Sequence, residues 1–259
     1  MGDGKMSTVL EIKGLTKNYH DAADSRDILR DLSLTVNQGE FVCILGPSGC
    51  GKTTLIRCIA GFEDYQGDIF VEGKKVDEPG IDRMMIFQDF NQLFPWKTVK
   101  KNVQYPLKVN GLKDKDELER IASENLKLVG LEGKGDLYPH QLSGGMKQRV
   151  AIAKGLALKP KIILMDEPFA SLDAMTRTKL QNRLLDIKEK EPITVIFITH
   201  NIQEALVLGD RILFMTKRGE VKIDTKNTIE KPVSPVSDGY GQMWKMFHDA
   251  LWEENEEFE

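Results

Sequence analysis

Gly46-Pro47-Ser48-Gly49-Cys50-Gly51-Lys52-Thr53-Thr54 fits the spacing G-x-x-x-x-G-K-[ST] of a loop that cradles phosphate groups. Phe41-Val42-Cys43-Ile44-Leu45, just before it, is a short apolar run that reads as a buried strand. Thr53 to Ala60, just after it, reads as a helix with apolar residues at 55, 56, 59 and 60. An ordinary Gly-rich turn would satisfy the loop pattern alone; the flanking strand and helix are the context that phosphate binding needs. Glycines let backbone N–H groups turn toward a polyphosphate without a Cβ in the way. The helix N-terminus adds partial positive charge. Lys52 is expected to reach the β- and γ-phosphates of a nucleotide, and Thr53 to offer its hydroxyl to Mg²⁺.

Working outward, residues 8–13 alternate like a strand, His20 to Asp27 reads as a polar loop, and Ile28 to Val36 alternates again. Gly67 to Val71 and Arg83 to Phe87 read as further short strands. From Thr98 to Gly130 the pattern turns helical, with Asp114 as N-cap and Gly130 after the C-terminus of a helix over 114–129. Ser143 to Leu158 is a second helix. Strands over 161–165, 193–199, 211–215 and 220–223 then alternate with helices over 174–189 and 202–208. The pattern predicts an α/β core with a helical insertion. Pro232, Ser234, Pro235 and Ser237 mark a linker near 227–239, followed by a short amphipathic helix carrying Met243, Trp244, Met246, Phe247, Ala250 and Leu251. That face is expected to pack on the domain rather than to anchor in a membrane, since it carries no basic cluster.

Composition bounds the class. The chain has 259 residues, 41% hydrophobic and 29% charged, with no apolar run near the roughly 20 residues a membrane span needs. Met1 to Met6 lacks the apolar core of a signal peptide. The net charge of −4 argues against a nucleic-acid surface. Five Glu lie between Trp252 and Glu259, and without them the balance is −4 + 5 = +1, so the acidity reads as a solvated tail. Cys43, Cys50 and Cys58 all belong to the phosphate-loop unit and read as reduced thiols, with Cys50 inside the loop open to oxidation.

Two further stretches carry chemistry. Ile162-Ile163-Leu164-Met165-Asp166-Glu167 is an apolar strand ending in two carboxylates. In an open α/β sheet ligands sit at the carboxyl ends of strands, so Asp166 is placed to hold Mg²⁺ and Glu167 to act as general base on water. Leu142-Ser143-Gly144-Gly145-Met146-Lys147-Gln148-Arg149 opens a helix that Ser143 can cap and that bares backbone N–H groups at Gly144 and Gly145.

Gly46–Thr54, Gln88, Leu142–Gln148, Leu164–Pro168, Ser171-Leu172-Asp173 and His200, in this order, resemble the nucleotide-binding subunit of an ABC transporter over residues 8 to 225. The resemblance implies a P-loop NTPase core (1–226) with an antiparallel β subdomain and an α-helical, signature-motif subdomain near 98–158. It also implies ATP and Mg²⁺ as ligands. It assigns Tyr19 to stack on adenine, Gly46, Pro47, Ser48, Gly49, Cys50, Gly51, Lys52, Thr53 and Thr54 to the phosphates, and Thr53, Gln88 and Asp166 to the metal. Glu167, His200 and Gln88 act in hydrolysis. Leu142, Ser143, Gly144, Gly145 and Met146 face the ATP of a second subunit, and Asp173 crosses that interface. Phe87 to Val99 is similar to the segment of nitrate, sulfonate and taurine importer ATPases that meets the permease, which points to Phe94, Pro95 and Trp96. The implied partners are a second ATP-binding subunit, with a homodimer favoured and a heterodimer left open, a membrane permease and, indirectly, a solute-binding protein, at the cytoplasmic face of the membrane, with no nucleic acid. A non-transport ABC ATPase is the alternative, though such proteins carry coiled-coil insertions or paired ATPase units that this chain lacks. Residues 225–259 match no pattern of the family.

Overall fold

The computed structural model describes residues 7–21, 24–87, 92–170, 172–190 and 193–256. The chain opens with β1 (Thr8–Asp21) and β2 (Asp24–Asn37), paired antiparallel from Thr8↔Asn37 to Asp21↔Asp24. Residues 20–21 and 24–27 of the polar stretch expected as a loop are therefore strand: pairing of backbone groups overrides their weak strand propensity. Next come β3 (Phe41–Leu45), α1 (Lys52–Ala60), β4 (Gln66–Val71), the two-residue β5 (Lys74–Lys75) and β6 (Arg83–Ile86). Strands β1, β2, β4 and β5 form an antiparallel sheet in the order β2-β1-β4-β5.

The helical insertion follows: α2 (Val99–Val109), α3 (Lys115–Leu128), a single 3₁₀ turn at Pro139–Gln141, and α4 (Gly144–Leu156). Each helix starts on a side-chain oxygen that accepts an otherwise orphaned N–H: Thr98 from Lys101, Asp114 from Glu117 and Ser143 from Met146. Apolar residues at helical spacing, among them Val99, Val103, Leu118, Ala122, Leu126 and Val150, close the three helices on one another.

The chain then alternates β7 (Ile162–Asp166), α5 (Ala174–Lys190), β8 (Thr194–Ile198), α6 (Ile202–Leu208), β9 (Arg211–Met215) and β10 (Val221–Lys226), and ends in α7 (Tyr240–Glu256). The central sheet runs β10-β9-β3-β8-β7-β6, with only β10 antiparallel. Strands β3, β7 and β8 are buried throughout, as their unbroken apolar runs require of a sheet covered on both faces. Their side chains divide between two cores. Phe41, Cys43, Ile163, Met165 and Phe197 face the helical side, while Val42, Ile44, Ile162, Leu164 and Ile198 face α1 and the antiparallel sheet. Leu55, Ile56 and Ile59 of α1 are wholly buried in the second core; each such side chain contributes about 1.5–3 kcal/mol.

Helix α7 is longer than expected and packs through Phe247 and Ala250, with Met243 and Leu251 at the margin. Its acidic end is not merely solvated: Glu254 is 4% exposed, and Glu253 pairs with Lys222 at 2.9 Å.

Candidate active site

Parallel strands bring their carboxyl ends to one edge, so β3, β7 and β8 deliver Gly46–Thr53, Asp166–Glu167 and Thr199–His200 together. After β3 the chain turns through Gly51, where φ is +97° and a Cβ would stand 2.7 Å from the Ile28 carbonyl oxygen. Only glycine fits there. Lys52 opens α1 and is 6% exposed. Its ammonium donates to the carbonyls of Gly46 (2.8 Å) and Pro47 (2.7 Å), so it lies across the loop it was expected to serve. Cys50 is buried beneath it. Burial pushes that thiol up, against the pull of the Lys52 charge, which corrects the expectation of an oxidation-prone cysteine.

The Thr53 hydroxyl donates to Asp166 Oδ1 at 3.1 Å. Burial lifts the Asp166 carboxyl above its ordinary range, and the Thr53 hydrogen bond offsets part of the rise. Glu167 follows in left-handed backbone, φ +42°, a conformation that costs a non-glycine residue about 1–3 kcal/mol and recurs at functional sites. Its N–H donates to the Ile198 carbonyl (3.1 Å), which ties β7 to β8. Its Oε2 lies 2.9 Å from His200 Nδ1.

His200 sits in a turn braced from below. The Thr199 hydroxyl donates to Glu204 Oε2 at 2.6 Å and accepts from the Asn201 N–H at 3.0 Å. Asn201 Oδ1 accepts from the Glu204 N–H at 3.3 Å and caps α6. Burial raises the Glu204 carboxyl, while the Thr199 hydrogen bond and the nearby Arg177 charge act in the other direction.

The Leu142–Met146 turn keeps different company. A Cβ on Gly145 would stand 2.5 Å from Thr176 Cγ2 and 3.8 Å from Leu172 Cδ2, so this turn packs on the start of α5. Asp173 caps that helix, its Oδ1 accepting from the Thr176 N–H at 2.9 Å, and this bond holds its carboxyl below the usual range. Tyr19 is partly exposed, with Lys17 Nζ 4.7 Å from its ring centroid. Gln88 and Ser171 lie outside the described residues.

Phe94, Pro95 and Trp96 form a separate surface. Trp96 is 70% exposed, and Phe94 packs edge-on against Tyr105 at 4.5 Å.

A family model described as ABC transporter matches residues 29–170. The chain belongs to the ABC transporter family. It is 48% identical to an uncharacterized ABC transporter ATP-binding protein of Methanocaldococcus jannaschii, over 96% of this chain and 94% of that one. Similarity extends to a bicarbonate transport ATP-binding protein of Synechocystis (43% identity, 88% and 81% covered) and an aliphatic sulfonates import ATP-binding protein of Bacillus cereus (38%, 91% and 93%). Among solved structures it resembles the dimeric post-hydrolysis state of an ATP-binding cassette bound to ADP and Pi, with TM-score 0.75, 35% identity, and 84% and 98% of the two chains covered. The expected P-loop NTPase fold, with its antiparallel sheet and helical subdomain, is the fold of this ABC ATPase. It binds ATP and hydrolyses it.

Two residues outside the motifs hold the aromatic segment of the ABC ATPase in place. Buried Asn102 in α2 organises the exposed aromatic segment. Its Oδ1 accepts from the Phe94 N–H (2.8 Å), and its Nδ2 reaches the carbonyls of Phe94, Lys97 and Thr98 at 3.0–3.2 Å. Lys154 of α4 donates to the Gln92 carbonyl at 3.1 Å with its ammonium 5.0 Å from the Phe94 ring centroid, and burial lowers its pKa. An amide at a core-facing position of an amphipathic helix was the available signal for Asn102. Lys154 reads as an ordinary helical cation until its neighbours are known.

Proposed function

We propose that the chain is the ATP-hydrolysing subunit of an importer, working as a head-to-tail pair on a membrane permease at the cytoplasmic face. The observation that carries the reading is the 2.9 Å contact between Glu167 and His200, next to the Thr53–Asp166 bond and the Lys52 loop. ATP would lie with its β- and γ-phosphates on the N–H groups of 46–54 and on the Lys52 ammonium, which would leave the loop carbonyls for the phosphate oxygens. Tyr19 would stack on the adenine. The hard oxygen donors of Thr53 and Asp166 suit Mg²⁺, with Gln88 completing the set. A cation there would also reverse the effect that burial has on the Asp166 carboxyl. When bound, Mg²⁺ would neutralise charge on the β- and γ-phosphate oxygens.

Glu167 would turn from His200 to a water molecule and accept its proton as the water oxygen bonds to the γ-phosphorus. The bond from that phosphorus to the β–γ bridging oxygen breaks, and ADP leaves with the electron pair. His200 would donate to a γ-phosphate oxygen, where charge develops. Since the Leu142–Met146 turn packs on Leu172 and Thr176, its bared N–H groups would serve the ATP of a second copy, with Asp173 at the same interface.

Phe94, Pro95 and Trp96 would meet the permease. Relatives named for bicarbonate transport and aliphatic sulfonates import favour a small anion as the solute, the broad class of the nitrate, sulfonate or taurine expected from the sequence. A solute-binding protein would act through the permease.

The two-chain site is tested with Lys52→Ala and Ser143→Arg in isolated subunits. Lys52→Ala is expected to lose nucleotide affinity. Ser143→Arg is expected to bind one nucleotide per chain yet lose ATP-dependent dimerisation and turnover. A Ser143→Arg protein that dimerises and turns over normally would remove the signature turn from the site.

A further inference from the structure

The far end of the chain is tied to the back of the phosphate loop. Strand β9 ends at Met215, and Thr216–Gly219 make a tight turn in which the Gly219 N–H donates to the Thr216 carbonyl at 2.9 Å. In this turn the N–H of Lys217 donates to Glu254 Oε2 of α7 at 2.7 Å, and Glu254 is 4% exposed. A buried carboxylate on a backbone N–H is a strong, charge-assisted bond.

The turn held in this way borders the nucleotide loop by two routes, through Met215 just before it and through Ile28 of β2. A Cβ on Gly46 would stand 2.5 Å from the Met215 carbonyl oxygen. A Cβ on Gly219 would stand 2.0 Å from the Ile28 carbonyl oxygen, the same atom that presses against Gly51. The Arg30 N–H closes the contact by donating to the Gly219 carbonyl at 3.4 Å. Backbone approaches backbone at Gly46, beside the turn, and again at Ile28, which lies between Gly219 and Gly51 with its own side chain and that of Leu29 packed there too. Contacts this close transmit a shift rather than absorb it.

We propose that Glu254 is a positioning residue for nucleotide binding: by fixing the 216–219 turn it sets the wall against which Gly46 and Gly51 hold the phosphate loop. Helix α7 would thereby tune the affinity for ATP from outside the ATPase core. The proposal rests on Gly46–Thr54 as the nucleotide site.

The test titrates the full-length protein with a fluorescent ATP analogue and records a melting curve for each variant. Glu254→Ala is expected to weaken binding between about twofold and thirtyfold, the span of effects transmitted through packed contacts. Glu254→Gln keeps an acceptor for Lys217 and is expected to stay within about twofold of the wild type. Lys217→Pro removes the donor from the other side at a turn position that accepts proline and is expected to match Glu254→Ala. The double variant should bind no worse than either single one, because both delete one bond. Wild-type affinity in Glu254→Ala, with a lowered melting temperature, would make Glu254 a structural brace and overturn the proposal. Losses that multiply in the double variant would overturn it too. Lys52→Ala measured alongside separates the two readings. If it binds as the wild type does, the nucleotide site itself is wrong; if it loses binding while Glu254→Ala does not, only the positioning role is.

Discussion

Replacing Glu167 with Gln keeps the side chain's size and both of its hydrogen-bonding positions but removes the charge that accepts a proton. The backbone strain at φ +42° is untouched, and so is the N–H bond to the Ile198 carbonyl. An amide can still bond His200 Nδ1 across the 2.9 Å now spanned by the carboxylate. His200 is an exposed partner and such pairs are worth about 0–1 kcal/mol. At about 2–4 °C per kcal/mol for a chain of this size, the melting temperature should move by less than about 4 °C. Nucleotide affinity should hold, because the Lys52 and Thr53 contacts are untouched and loss of the Glu167 charge only relieves its repulsion of the Asp166 carboxylate. Turnover should fall far more. A general base supplies about 10²–10⁴-fold, or about 3–5 kcal/mol of barrier at 1.36 kcal/mol per decade. Steady-state phosphate release reads the turnover, and size exclusion with ATP reads the accompanying gain in stable dimer. Turnover within tenfold of the wild type would refute the role of Glu167 as base. Lost nucleotide binding would show instead that its charge is needed to hold ATP.

Trp96→Ala should cost about 2 kcal/mol of permease binding in a pull-down while leaving the subunit's melting curve in place, since the ring is 70% exposed. Phe94→Ala should lower the melting temperature, because that ring packs on Tyr105 and lies under Lys154. Asp210 accepts from the Phe41 N–H, Lys188 and Lys231, which joins β3, α5 and the C-terminal linker. Burial alone would raise its carboxyl, but the Lys188 and Lys231 bonds hold it below its ordinary value. A lowered folded-state value stabilises above the unfolded one and is lost as pH falls through the folded one. Asp210→Ala should therefore cost about 1–2 kcal/mol at pH 7, since the half-buried carboxylate is partly screened, with the gap to wild type closing below about pH 4 in urea melts. Burial pushes up the thiols of Cys43, Cys50 and Cys58, the last to about 12, so alkylation at pH 8 should be far slower in the native chain than in urea.

Much of the site was legible because its parts are local. The Gly46–Thr54 turn, the Asp166-Glu167 strand end and the Ser143 cap each rest on neighbours within a few residues, and local geometry follows from local sequence. The hairpin of β1 and β2 was read too short because strand pairing depends on a partner and not on the polarity of His20 to Asp27. The acidic end of the chain was read as solvated because composition reports the charge of Glu254 and not the N–H of Lys217 that it meets 37 positions away. Asn102 was missed for the same reason: its partners at 94–98 define its role.

By itself, then, the sequence determined the element types, the phosphate loop, the order of the motifs and the kinship they signal, since each is a property of short stretches and their spacing. Only the tertiary structure decided what those stretches do to one another. The parallel order of β3, β8 and β7 sets Lys52, Asp166, Glu167 and His200 on one edge. The packing of Gly145 on Thr176 turns the signature helix toward α5, and the buried Glu254 of α7 meets the Lys217 N–H in the turn after β9. These are contacts between residues far apart in the chain, and nothing in a local pattern encodes which distant group will arrive to satisfy a buried donor or fill a face.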